Sequence, residues 1–275
     1  MDFSIKPASG YSVPNLVEVL NRGFEGYFVP ITFNVTAFLN MIRKDGLDLT
    51  SSRVLLTDEG PVGIALIARR GWTSRLAAMG IATEMRGKGG GSWFMQQLIQ
   101  EACDRGEREM VLEVIEQNTS AVHLYEKCGF EAIRRLIGLI RKDATEIQTN
   151  ELKQIDIREM GRLIMRYEMP NLPWQLSGES MVQMNPPARA YQNGPAYAII
   201  SNPDVKDVVI WSLLVEPDAR GKGLGADMLK AIVANHTGKT WHIPALLPEE
   251  LGKVYERAGF EREDLSQWQM RLVLE

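Results

Sequence analysis

Two short runs combine cations and glycines in the same order: Arg86-Gly87-Lys88-Gly89-Gly90-Gly91 and Arg220-Gly221-Lys222-Gly223-Leu224-Gly225. Each leads into an amphipathic stretch, beginning at Ser92 in the first case and Gly225 in the second. A helix N-terminus carries unpaired N–H groups and partial positive charge, and glycines let the backbone approach an anion closely. Arg86, Lys88, Arg220 and Lys222 add full charges. The chemistry these residue types suit is the holding of a phosphate group. Neither run ends in the Gly-Lys-Ser/Thr of a Walker loop. Neither sits where a dinucleotide fingerprint would, early in a β-α-β unit with an acid about twenty residues on. One such loop, taken alone, is better explained by a plain turn into a helix. The same loop twice, with the arginines 134 residues apart, calls for a single explanation.

The elements that must position these loops are legible as a partly repeated order. In the first half they read β-α-α-β-β-β-α-β-α-β. Ser12 reads as an N-cap with Pro14 in the first turn, Gly46 as the stop of the second helix and Gly106 as the stop of the helix after the loop. A second pair of matching segments follows the loops, AVHLYEKCGF and LGKVYERAGF, with Tyr125 and Tyr255 130 residues apart. The polar run from Lys142 to Asn150 is the expected boundary. It gives an N-terminal domain over 1–143 and a C-terminal one over 151–275. The stretch from Pro170 to Ala190 is irregular and has no counterpart in the first half.

Composition narrows the classes further. A chain of 275 residues with 45% hydrophobic residues and net charge −4 can bury two cores and advertises no basic face for nucleic acid. Two cysteines, Cys103 and Cys128, exclude a disulfide framework and suit a reducing compartment, so a cytoplasmic location is expected. The start, MDFSIKPASG, has no signal-peptide pattern, and no run of about 18 apolar residues could span a membrane. His123, His236 and His242 have no metal-ligand spacing, so no metal site is expected. Composition leaves the oligomeric state open.

Loop and Y-E-x-x-G-F segment together resemble the GNAT superfamily of N-acetyltransferases. The resemblance covers the first half end to end and the second from about Val208; residues 151–205 resemble the family only loosely. It implies an α/β (α+β) chain of two tandem domains, each a mixed, mostly antiparallel sheet flanked by helices. It also implies acetyl-CoA as cosubstrate, with pyrophosphate on the glycine loop and Ser92. Pantetheine would lie as an extra strand against Met79, Gly80 and Ile81, and against Leu213, Leu214 and Val215 in the second half. Such enzymes pass an acetyl group to a primary amine, which requires a route for the amine's proton and an acid for the departing thiolate.

Glu113, Asn118 and Tyr125, spaced E-x4-N-x6-Y, resemble the protein-acetylating bacterial branch. That likeness implies Glu113 as base through water, Asn118 on pantetheine and Tyr125 as acid. Phe24, Tyr27 and Phe28 occupy the region that often walls the acceptor pocket. At the same distances before Tyr255 stand Ile243 and Pro248, so the second domain is expected to be degenerate or accessory. The alternatives are a non-catalytic acyl-CoA-binding or regulatory protein and, less well matched, a nucleotide-phosphate binder. The acceptor, whether small amine or protein terminus, is not legible.

Overall fold

A computed structural model describes residues 2–142 and 152–274. The expected boundary run, apart from Lys142, lies outside the described residues. In chain order the elements begin β1 (Ser4–Pro7), α1 (Val13–Gly23), α2 (Val35–Asp45), β2 (Arg53–Thr57), β3 (Gly60–Arg70) and β4 (Thr73–Ile81). Then come α3 (Gly90–Asp104), β5 (Glu109–Ile115), α4 (Thr119–Lys127) and β6 (Glu131–Lys142). The second half holds β7 (Lys153–Ile155), α5 (Ile157–Tyr167), α6 (Gly178–Met181), β8 (Arg189–Asn193) and β9 (Ala196–Ile200). It closes with β10 (Asp207–Val215), α7 (Leu224–Asn235), β11 (Thr240–Pro248), α8 (Gly252–Glu256) and β12 (Glu261–Val273).

The local signals act as their chemistry predicts. Ser12 accepts from the Asn15 N–H and caps α1, with Pro14 in the first turn. Asn34 caps α2 in the same way, and Gly46 ends that helix in the left-handed region.

The chain forms two compact units, and their composition crosses the expected halves. One is Met1–Ile133 with Trp268–Glu275; the other is Arg134–Gln267. The strands β6 and β12 therefore each contribute to both units. In the first unit the strand order is β1-β2-β3-β4-β5, followed by the end of β12. Met270 of β12 fills a core with Phe94, Met95 and Leu98 of α3 and Met110 and Leu112 of β5. In the second unit the order is β6-β11-β10-β9-β8-β7. There Ile137 and Leu139 of β6 pack with Met228, Leu229 and Ile232 of α7 and with Trp241. The physical reason is edge pairing: β5 and β11 each need a neighbour on their open side, and the strand that supplies it comes from a distant part of the chain.

Each unit opens the same gap in its sheet. β4 and β5 pair in parallel from Thr73↔Glu109 to Leu76↔Leu112, and the register ends there. β10 and β11 pair in parallel from Asp207↔Thr240 to Val209↔His242, then part. A β-bulge sits just past each point of parting: Ala77 is the extra residue of β4 against β3, and Trp211 that of β10 against β9. The two bulges are 134 residues apart, the same offset as the loop arginines. A bulge bends and twists its strand, which turns the ends of β4 and β10 away from their parallel neighbours.

Candidate functional site

The loops sit at the ends of these gaps, and their glycines divide the work. Gly87 and Gly89 have φ of +73° and +82°, and the space a Cβ would take at either is open within 4 Å. Gly89 caps α3 in the left-handed conformation. Gly221 (φ +78°) and Gly223 (φ +83°) repeat this before α7. Gly90 and Gly91 do a different job. A Cβ on Gly90 would come within 3.0 Å of the Phe3 ring, and one on Gly91 within 3.4 Å of Leu124. Gly225, the counterpart of Gly91, lies 3.0 Å by the same measure from Val254. Two glycines per loop thus turn the backbone in the left-handed region at a helix start, and the last packs the helix onto its neighbours. Ser92 follows, half-buried in the first turn of α3.

The loop arginines are engaged by backbone carbonyls. Arg86 donates from Nε to the Ile81 carbonyl and from Nη2 to the carbonyls of Gly23 and Glu25. Arg220 donates from Nε to Val215 and from Nη2 to Tyr167. Each guanidinium clamps the end of the strand before the loop to the end of the unit's first helix. The reason is geometric: that helix ends with unsatisfied carbonyls, and a planar fork of donors satisfies several at once. In the first unit the helix end also rests on the strand itself, since a Cβ on Gly23 would stand 2.8 Å from the Gly80 carbonyl carbon. Lys88 is exposed, whereas Lys222 folds back to donate to the Asp218 carbonyl.

Met79, Gly80 and Ile81 pair with Ala65, Ile64 and Gly63 of β3, and the paired register with β5 stops short of them. Leu213 and Val215 pair with Ala198 and Ala196 of β9, past the end of the β10–β11 register. Both strand ends therefore border a gap wide enough to have lost its ladder.

At the far side of the first gap the structure brings together Tyr27, Asn118 and Tyr125. Asn118 caps α4 by accepting from the Ala121 N–H, which leaves its amide to donate. Its side chain hydrogen-bonds the Tyr27 hydroxyl, while burial raises the Tyr27 phenol above its ordinary pKa. Tyr125 is 7% exposed and stands edge-on to Phe130. Burial, with Tyr27 and Cys128 as neighbours, pushes its hydroxyl well above the usual phenol range, so it stays protonated at neutral pH. Phe24 and Phe28, the latter 56% exposed, each stand edge-on to Tyr27.

Glu113, on β5, stands in a buried ion pair. Its side chain is 3% exposed, and Oε2 accepts from Arg75 Nε and Nη2, both at 2.8 Å. Asp45, at the end of α2, stands 3.7 Å from the same guanidinium, and burial raises its carboxyl pKa. To take a proton from an amine, Glu113 would have to leave a buried ion pair. Cys128 is a half-buried thiol raised by burial, as a packing residue would be.

In the second unit Tyr255 repeats Tyr125: it is buried, edge-on to Phe260 and raised by burial alone. Counting back from Tyr255 set Ile243 against Glu113, but the sheet sets a different pair. Arg75 faces Val111 and its counterpart Val209 faces His242, so Ile243 answers to Leu112 and Pro244 to Glu113. Ile243 accordingly lies in the core on the α7 side. The connection to the following helix differs by one residue, and one residue moves a side chain to the other face of a strand. The counterpart of the Arg75–Glu113 pair is thus Val209 and Pro244.

The second gap contains a cavity of about 370 Å³. It runs from the loop at Arg220 to Tyr255, and on to Trp211, Leu172 and Glu168. Glu168 follows α5 directly and accepts from the Gly178 N–H at 3.0 Å. Sequence reading missed Glu168. The signal was a lone acid in an irregular stretch, and only the fold brings that stretch to the gap. Among the described residues no group of three or more His, Cys, Asp or Glu could hold a metal, and no helix is long and apolar enough to cross a membrane.

Such a duplicated unit, a sheet parted after a bulge with a glycine cradle at the next helix start, defines an acyltransferase-type fold. A family model described as "Acetyltransferase (GNAT) family" matches residues 18–130, and one described as "Acetyltransferase (GNAT) domain" matches residues 189–262. The chain belongs to the GNAT acetyltransferase family, in its tandem form. Among solved structures, it is similar to a tandem GNAT protein from the clavulanic acid biosynthesis pathway, at 13% identity and TM-score 0.68 over 100% of this chain and 98% of that one. A GCN5-related N-acetyltransferase from Sphaerobacter thermophilus has 15% identity and TM-score 0.69, covering 99% and 96%. A putative acetyltransferase from Pyrococcus horikoshii has 12% and 0.65, covering 99% and 90%. No curated protein matches the sequence.

Proposed function

We propose that the protein transfers an acetyl group from acetyl-CoA to a primary amine, and that the first unit carries the transfer. The observation that carries this reading is the grouping of Tyr27, Asn118 and Tyr125 beside a parted sheet with its own phosphate cradle. The residues fit the cosubstrate: Gly87 and Gly89 leave open space at the start of a 15-residue helix, and Met79 to Ile81 border the gap. When bound, acetyl-CoA supplies a thioester whose carbonyl carbon is open to an amine and whose sulfur leaves as thiolate.

The chain's own groups then divide the remaining tasks. The amides of Gly89 to Ser92 hold phosphate. Asn118 fixes the Tyr27 hydroxyl, and with it the aromatic wall of Phe24 and Phe28 against which an acceptor rests. Tyr125, kept protonated by burial, donates its proton to the leaving sulfur. Glu113, held by Arg75, positions β4 against β5, and the amine's proton leaves to water. An alkyl ammonium has a pKa of about 10.4, so holding it neutral at pH 7 costs roughly 4–5 kcal/mol.

The test is a CoA-release assay over a panel of primary amines, paired with calorimetry of acetyl-CoA. Turnover lost in Tyr125→Phe with binding kept is the expected result. Binding without turnover on any amine would favour the second reading, a non-catalytic acyl-CoA binder. That reading draws on the buried pairing of Glu113, the carboxylate the motif would otherwise offer as base.

A further inference from the structure

His236 caps the C-terminal end of α7, its N–H donating to the Val233 carbonyl. The last turn of that helix is apolar, with Ala231, Ile232 and Val233 buried. The His236 ring extends this packing. Its centroid lies 5.8 Å from the Tyr191 ring of β8 and 6.2 Å from the Trp241 ring of β11, and both of those residues are buried. Nε2 of His236 is buried as well, and among the described residues it has no hydrogen-bond partner. We infer that His236 is an acid-sensitive latch: its neutral ring holds the C-terminal end of α7 against β8 and β11, and protonation releases that end. The latch lies wholly within the second unit and does not depend on the transfer proposed for the first.

The physical basis is a ring nitrogen facing apolar surroundings. A neutral imidazole can keep its proton on Nδ1 and turn a lone pair there, which leaves one acceptor without a partner. An imidazolium must place an N–H and part of a full charge in the same spot, which costs far more. The charged groups around the ring come from each element packed on it. Arg189 of β8 and Lys239, just before β11, disfavour a further cation; Asp204, between β9 and β10, favours one. Asp204 is itself paired with Arg189 at 3.3 Å. The negative end of the α7 dipole also favours a cation. Burial, the largest influence, and the two cations prevail, and they hold His236 below the ordinary imidazole pKa. A released His236 returns to about 6.5. With the folded value depressed, the latch is fully closed above about 6.5 and is lost as pH falls through the folded value.

The experiment is hydrogen exchange on the full chain, read by mass spectrometry and corrected for the intrinsic rate. It compares about pH 7.5 with about pH 5.5, one unit on either side of free imidazole. Amides over the last two turns of α7 should lose protection by roughly five- to tenfold at the lower pH, since one linked proton changes an equilibrium by up to about tenfold per unit. His236→Phe keeps a ring without a charge, and His236→Gln is a second neutral replacement. In either, the loss should shrink to about twofold or less. If the Phe variant does not fold, the Gln variant decides. An NMR titration of the wild-type ring protons, with His123→Gln and His242→Gln assigning the other two resonances, should give His236 a midpoint below that of free imidazole, and it decides if neither variant folds. Protection that does not change with pH, a loss that persists in a folded neutral variant, or a midpoint at or above free imidazole overturns the inference.

Discussion

The loops at Arg86 and Arg220 have the same backbone, the same clamp and the same offset from a bulge, yet they open onto different surroundings. In the first unit α3 has no acid in its first turn; in the second α7 carries Asp227, whose Oδ2 lies 3.9 Å from where a Cβ on Gly223 would be. Tyr125 has Tyr27 as a polar neighbour, whereas burial alone acts on Tyr255. A buried Arg75–Glu113 pair in the first sheet is matched by Val209 and Pro244 in the second. The features shared are those the backbone needs to part a sheet and start a helix. The features that differ are side chains, which the shared backbone leaves free to vary.

The largest expected effect separates the two tyrosines. Tyr125→Phe should lower turnover by roughly 100-fold or more, the range of a lost general acid, with acetyl-CoA affinity unchanged. Tyr255→Phe should leave that turnover within about twofold. If the two variants exchange these outcomes in the CoA-release assay, the active unit has been assigned the wrong way round.

Next in size is the charge pair. Arg75→Met leaves Glu113 and Asp45 buried without their guanidinium and should destabilise the protein by about 3–5 kcal/mol in urea unfolding. Val209→Met, the matching change in the second unit, should cost about 1 kcal/mol. Similar losses at both would mean that Arg75 contributes packing rather than charge.

The cradle comes third. Gly89→Val places a branched side chain at φ +82° and should weaken acetyl-CoA binding about tenfold. Lys88→Ala removes one exposed charge and should weaken it about two- to threefold. Calorimetry giving the reverse order would show that the side-chain charge, not the backbone, holds the phosphates.

The smallest effect sharpens the contrast between the helix starts. Asp227→Asn removes a negative charge beside the second cradle and should raise its affinity for inorganic pyrophosphate by about two- to fivefold. Titration at low salt would read it. No change would mean that Asp227 does not distinguish the loops.

What was readable along the chain and what was not divides at the range of the interaction. The cap at Ser12, the stops at Gly46 and Gly106 and the glycine turns at Gly87–Gly89 and Gly221–Gly223 depend on a few neighbouring residues, so the sequence by itself determined them and the mixed, duplicated architecture they imply. The charge of Arg86 is visible in sequence; its carbonyl partners, Gly23 and Glu25, lie about sixty residues away and came together only in the fold. The pairing of Glu113 with Arg75 was not legible because Arg75 is on another strand. Ile243 was set against it because counting along a chain does not reveal which face of a strand a residue takes, and a one-residue change in a connection reverses that face. Tertiary structure alone decided three further things: that Trp268–Glu275 belongs with the first unit, that Tyr27 meets Asn118, and that Glu168 reaches the second cavity. Each rests on contacts between residues far apart in sequence, whose partners are chosen by packing rather than by local propensity.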